Sequence, residues 1–132
     1  MRIISGSLKG KKIHYLKNIN TRPLKDSIKE NIFNILKHSN LINTKIENAN
    51  ILDLYSGVGS FGIECLSRGA EKVTFIEKDD YAVNILKKNL IHLSLLNKSV
   101  IINDSVKNFL NSLLKQKYQF FFFDPPFADN NF

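Results

Sequence analysis

The chain has 132 residues, of which 43% are hydrophobic and 23% charged, and it carries a formal net charge of +7. That length suits one compact domain with a real core, and the mix is that of an ordinary globular protein. No apolar run approaches the ~18 residues of a membrane span, the N-terminus lacks a signal-peptide core, and Cys65 alone forms no internal disulfide, so a cytoplasmic location is the expectation.

Positive charge is concentrated at the start. Residues 1–30 hold Arg2, Lys9, Lys11, Lys12, Lys17, Arg22, Lys25 and Lys29 against Asp26 and Glu30, while the rest of the chain is nearly neutral. Clustered cations displace the counterions of a polyanion, which points to nucleic acid. A solvated face in a lysine-rich protein explains the same count, because only three of the nineteen basic residues are Arg.

In chain order, residues 2–16 read as a hairpin of two short strands around Gly6-Ser7-Leu8-Lys9-Gly10. Thr21-Arg22-Pro23 breaks that pattern. A helix follows over 24–38, with Ile28, Ile32, Ile35 and Leu36 on one face. A polar stretch over 40–50 leads into a regular alternation. Ile51-Leu52-Asp53-Leu54-Tyr55 is a strand, then come a glycine turn and a helix ending near Gly69. Val73-Thr74-Phe75-Ile76 is the second strand, and Asp79 caps a helix whose Val83, Leu86, Leu90 and Leu93 share a face. Ser99-Val100-Ile101-Ile102, a helix over 105–115, and Phe120 to Phe123 complete the series. Apolar strands alternating with amphipathic helices predict an α/β fold with a parallel sheet covered on both faces, its ligands beyond the C-terminal strand ends.

The unusual residues fall at those strand ends. Gly57-x-Gly59-x-x-Gly62 allows a tight turn and close approach to a ligand, and matches a dinucleotide fingerprint. Asp53 is awkward beneath a pyrophosphate but suits a cation such as the ammonium of S-adenosylmethionine (SAM); capping of turn amides is the alternative. Glu77, twenty residues past Gly57, is placed to accept ribose hydroxyls or is a surface acid. Asp104 suits an adenine amine or caps a helix, and Ser105 offers an amide to the same ring.

Asp124-Pro125-Pro126-Phe127 closes the series. Prolines remove donors, so the turn presents carbonyl acceptors. An aryl amine is a poor nucleophile because its lone pair is delocalised. Two acceptors on its N–H bonds, Asp124 and the Pro125 carbonyl, favour a pyramidal nitrogen, and Phe127 stacks on the base. His14, His38 and His92 lack ligand spacing, and no metal is expected.

The ordered motifs resemble class I SAM-dependent methyltransferases, and Asp124-Pro125-Pro126-Phe127 resembles the D/N-P-P-Y/F signature of amino-methyltransferases. Arg2-Ile3-Ile4-Ser5-Gly6, Leu8-Lys9-Gly10-Lys11-Lys12, Thr21-Arg22-Pro23, Lys29-Glu30-Asn31-Ile32-Phe33-Asn34-Ile35-Leu36, Asp53-Leu54-Tyr55-Ser56-Gly57 and Glu64-Cys65-Leu66-Ser67-Arg68-Gly69-Ala70 resemble the bacterial RsmD family. The resemblance implies transfer of a methyl group to the N2 amine of a guanine in 16S ribosomal RNA. It implies a Rossmann-like domain over 1–132, with a basic hairpin and helix over 1–40 and a SAM-binding βα core over 50–132. Asp53, Gly57, Gly59, Glu77, Asp104 and Ser105 would line the cofactor site. Asp124, Pro125, Pro126 and Phe127 would hold the guanine, and Arg2, Lys9, Lys11, Lys12, Arg22 and Lys25 the RNA. The partner would be 16S rRNA or the assembling small subunit, and the protein a monomer. Phe127 departs from the commoner tyrosine, and Ser27 from a basic residue. The family continues beyond the Pro-Pro turn, so with about four strands the sheet reads as incomplete at its C-terminus, with the Phe-rich strand as an exposed edge if the order is 3-2-1-4. A DNA adenine-N6 methyltransferase, a nicotinamide-dependent oxidoreductase and a non-catalytic RNA-binding module are the competing readings.

Overall fold

Apolar runs rich in Ile, Val and Phe become strands because both of their faces meet helices. A computed structural model describes residues 1–15, 26–38, 45–111, 118 and 120–125. Helix α1 (Asp26–His38) precedes β1 (Asn50–Leu54), α2 (Ser60–Ser67), β2 (Lys72–Ile76), α3 (Asp80–His92), a 3-10 turn (Leu96–Lys98), β3 (Ser99–Ile102), α4 (Val106–Asn111) and β4 (Phe120–Phe123). The four strands form one parallel sheet in the order β3-β2-β1-β4. Register is set by Asp53 opposite Phe75 on one side and Phe122 on the other. The edge position expected for the Phe-rich strand is what the order gives, and Phe123 is 45% exposed.

Alternate residues of β1 serve different faces, as a period of two requires. Ile51, with Val73 and Phe75 of β2, packs against Phe61, Ile63 and Leu66 of α2 and Leu86 and Leu90 of α3. Leu52 and Leu54, with Ile76, pack against Val106 and Phe109 of α4. Each such fully buried side chain contributes roughly 1.5–3 kcal/mol relative to exposure. Phe122 stacks on Phe61 at 3.9 Å between ring centres, and Phe61 on Phe33 of α1 at 5.1 Å. The Arg68 guanidinium covers the Phe33 ring at 4.2 Å. This column ties the edge strand β4 to the helices.

Two sequence expectations are corrected. The N-terminal hairpin is a single antiparallel bridge, Arg2 opposite Lys12, rather than two strands. Its turn is closed by Gly10 N–H donating to Ile3 O at 2.8 Å, and the segment is held mainly by side chains of α2. Helix α1 also buries a different face. Ile28 and Ile35 are 47% and 62% exposed, while Lys29 and Phe33 are buried and Ile32 and Leu36 partly so.

Lys29 is buried because its charge is matched. Its Nζ donates to Arg2 O at 2.8 Å and Ser60 Oγ at 3.2 Å, and lies 3.3 Å from Glu64 Oε1. Buried Glu64 also accepts from the backbone N–H groups of Ile4 (2.8 Å) and Ser5 (3.0 Å) and from Arg68 Nε (2.8 Å). One carboxylate thus joins the N-terminal arm, α1 and α2. Breaking a buried pair by removing one partner leaves an uncompensated charge and costs about 3–5 kcal/mol. Glu64→Ala should therefore lower the urea unfolding free energy by that amount; an unchanged midpoint would show the network to be ornamental.

Candidate functional site

The site lies at the C-terminal ends of the strands, where α/β sheets hold ligands. α2 and α3 cover one face of the sheet and α4 the other, and β4 lies beside β1. On the other side of β1, at the ends of β1, β2 and β3, a cavity of about 320 Å³ opens, lined by Tyr55, Ile76, Glu77, Lys78, Asp104, Ser105, Val106 and Lys107. That is within the size range of small-molecule sites.

The glycine turn divides its labour. Gly57 has a φ of 57° and nothing within 4 Å of the position a Cβ would occupy, so its open face is available to a ligand. Gly59 has a φ of 93°, and a Cβ there would sit 2.4 Å from Leu86 Cδ1. Gly62 is pressed in the same way onto Phe75. The second and third glycines of the motif therefore serve packing of α2 on the sheet and on α3. Close approach to a ligand falls to Gly57.

Glu77 is half-buried and is no free surface acid. Its Oε1 accepts from Gly57 N–H at 2.8 Å and its Oε2 from Asp79 N–H at 2.9 Å. The carboxylate is thereby locked at the cavity wall with acceptor capacity left over, since each oxygen has two lone pairs. Asp79 is the N-cap of α3, accepting from Tyr81 N–H at 3.1 Å.

Asp104 and Ser105 line the same cavity but also engage each other. Asp104 Oδ1 accepts from Ser105 N–H at 2.7 Å and from Asn108 Nδ2 at 2.9 Å. The cap of α4 is Ser105, whose Oγ accepts from Asn108 N–H at 3.0 Å. The amide that the sequence offers to an adenine is occupied by the neighbouring carboxylate, so that donor is free only if Asp104 turns.

Asp53 lies outside the cavity lining, 1% exposed at the end of β1. Its Oδ2 accepts from Gly62 N–H at 3.1 Å, so it does cap a backbone amide. Burial pushes its carboxyl up to about 8, the Gly62 amide partly offsets this, and the charges of Glu77 and Asp124 push it further. Burial beside two other acids favours the protonated form of this carboxyl, and a cation brought next to it would favour the charged form. Asp124 and Pro125, both half-buried, follow β4 directly, while Pro126 and Phe127 lie outside the described residues.

Two residues at the turn escaped the sequence reading. Tyr55 adopts a φ of 56°, lines the cavity and meets Phe123 edge-on at 5.5 Å. A bulky residue in that region of backbone space marks a site held by its surroundings. The Ser56 hydroxyl is buried with no hydrogen-bond partner. Neither has a spacing signal, because backbone strain and an orphaned hydroxyl appear only once the chain is folded.

The basic residues of the arm are spread along α2. Lys9 sits at the hairpin tip, where Ser7 N–H and Leu8 N–H reach Ser67 O (2.8 Å) and Ser67 Oγ (3.0 Å) at the far end of that helix. Arg2 and Lys12 are paired nearer the open end. Lys9, Lys11 and Lys12 are exposed, and Arg22 and Lys25 lie outside the described residues. Among the described residues no group of three His, Cys, Asp or Glu gathers as a metal site would, and no helix is long and apolar enough to cross a membrane.

The family model described as "Conserved hypothetical protein 95" matches residues 1–132. The chain is 39% identical over 132 residues to ribosomal RNA small subunit methyltransferase D of Haemophilus influenzae, covering 98% of this chain and 65% of that one. It is 37% identical over 127 residues to the protein of the same name in Buchnera aphidicola subsp. Baizongia pistaciae, covering 96% and 61%. The solved structure of yhhF from Escherichia coli superposes with a TM-score of 0.75 at 33% identity, over 97% of this chain and 65% of that one. The chain thus spans about two thirds of the length of the relatives it matches.

The raised Asp53 value has a direct consequence for stability. Between the ordinary carboxylate value of 3.8 and about 8, the folded protein holds a proton that the unfolded chain has lost. This group's contribution is fully present below 3.8 and is lost as pH rises towards 8, with a slope of up to ~1.4 kcal/mol per pH unit. Urea titrations of the parent and Asp53→Asn between pH 5 and 8 should show the parent losing stability relative to the variant; parallel profiles would contradict the buried, neutral carboxyl.

Proposed function

The chain belongs to the RsmD family of methyltransferases, and from that premise we propose that it transfers a methyl group from SAM to the exocyclic N2 amine of a guanine in 16S ribosomal RNA. The observation that carries this reading is the pairing of β4 with β1, Leu54 opposite Phe123, which brings Asp124-Pro125 to the same strand ends as Asp53 and the Glu77 cavity. The residues present suit the cofactor. Asp53 suits the methionine ammonium, because a cation relieves a buried acid already crowded by two others. Glu77, fixed by Gly57 and Asp79, suits two ribose hydroxyls, and Asp104 the adenine edge, where the Ser105 amide joins it once Asp104 turns away.

SAM, when bound, supplies an electrophilic methyl group on a sulfonium. Asp124 and the Pro125 carbonyl accept the two N–H bonds of the amine, which draws its lone pair out of conjugation. With the methyl group supplied by the bound cofactor, the Asp124 carboxylate, directly or through solvent, would take the proton that the amine loses. The base must be unpaired or flipped, because its amine is otherwise engaged in pairing. Residues 1–40, the arm together with α1, serve as the RNA-contacting part, with Arg2, Lys9, Lys11, Lys12, Arg22 and Lys25 on phosphates, and 50–132 as the cofactor-binding part. Phosphate contacts of this kind weaken as salt rises.

A labelled-methyl assay on 16S rRNA is the test. Asp124→Ala should lower turnover by about 10²–10⁴-fold while leaving SAM affinity, read by calorimetry, within ~3-fold. Near-normal turnover in that variant removes Asp124 from the chemistry. Label entering DNA adenine in preference to RNA replaces the substrate, and no heat with SAM replaces the enzyme by an RNA-binding module.

A further inference from the structure

Asn89 of α3 is a buried polar side chain, 1% exposed, that the proposed chemistry does not use. Its Oδ1 accepts from His14 N–H at 2.9 Å, and its Nδ2 donates to His14 O at 3.0 Å and to Val58 O at 3.1 Å. A primary amide offers two donors and an acceptor, and all of these are engaged here. The partners are 75 and 31 residues away in sequence. His14 closes the open end of the arm, one residue past Ile13, whose N–H donates to Met1 O at 3.0 Å. Val58 stands between Gly57 and Gly59 in the turn. One side chain therefore mimics a strand partner for the arm and holds a carbonyl of the glycine turn.

A second tie runs parallel to it. Lys29 Nζ bridges Arg2 O, in the arm, to Ser60 Oγ, the first residue of α2 after the turn. Leu86, one turn before Asn89 on the same helix, fills the space a Cβ would need at Gly59. The turn is thus fixed on both flanks by groups that also fix the arm, and α3 contacts it at two successive residues.

We propose that Asn89 is a positioning residue that couples the arm to the glycine turn, so that RNA held by the arm and cofactor held by the turn strengthen each other's binding. The proposal rests on the functional reading above, in which the arm meets RNA and the turn meets SAM. Its physical basis is shared ordering. Whichever ligand binds first immobilises His14 and Val58 together through one amide, and the second ligand meets a turn or arm already fixed. Linkage makes the effect reciprocal.

The test uses the 132-residue chain, a ~20-nucleotide RNA hairpin of 16S rRNA sequence and SAM. In the parent, saturating RNA should tighten SAM binding by ~5-fold in calorimetry, and in Asn89→Ala by less than ~2-fold, whatever the change in melting temperature. A purely structural Asn89 lowers stability and leaves the RNA effect on SAM affinity intact, which overturns the proposal. Amide exchange on the parent alone gives a readout independent of any variant's folding. RNA without SAM should slow exchange at His14, Gly57 and Gly59 by ~5-fold or more, with the β1–β2 ladder unmoved. Protection confined to the arm overturns the coupling even where SAM fails to bind. A parent that binds no SAM, yet shows RNA protection reaching the turn, sinks the methyltransferase reading and leaves the mechanical link standing.

Discussion

Three carboxyl groups, Asp53, Glu77 and Asp124, are delivered by β1, β2 and β4 to one end of a parallel sheet, and the structure is organised around tolerating them. Glu77 takes two backbone N–H groups at the cavity wall, while Asp53, with one amide and almost no solvent, is pushed towards its protonated form by burial and by the two neighbouring acids. In the proposed function such a spot suits the cationic ammonium of SAM better than a pyrophosphate.

Everything else holds those strand ends in register. The aromatic column from Arg68 through Phe33 and Phe61 to Phe122 fastens β4, which among the described strands pairs with β1 alone, to the helical layer. Gly59 and Gly62 let α2 settle onto Phe75 and Leu86. The buried pair of Lys29 and Glu64 secures the N-terminal segment on that helix. These links run from the outer surface to the C-terminal strand ends, so the arm and the cavity share one scaffold.

The sheet was legible in the sequence because its strands are short apolar runs separated by helical periodicity, and the strand boundaries fall within a residue or two of those expected. The places of Glu77 and Asp104 in the cavity lining follow from their spacing past strand ends, while Asp53 and Gly57 lie at the same end of the sheet outside that lining. What escaped has a common cause. Ile28 and Ile35 seemed core residues and Lys29 a surface one, yet the lysine is buried because Glu64, Arg2 O and Ser60 Oγ surround its ammonium. Hydropathy assigns each residue a place from its own chemistry and cannot see partners 27 to 35 positions away. Asn89 was missed for the same reason, its partners lying 31 and 75 positions away, whereas the strained backbone of Tyr55 and the orphaned hydroxyl of Ser56 exist only in the folded chain. At Gly59 the structure adds what the spacing could not show, that Leu86 fills the space a Cβ would need.

The claim on which the account rests is that Asp53 waits as a neutral acid for a positive group. SAM titrations at pH 7 in two buffers of different ionisation enthalpy measure it directly. The account requires release of close to one proton per SAM bound, and no release in Asp53→Asn. Binding of SAM with no buffer dependence in the parent would mean that Asp53 never changes its charge, and would contradict it.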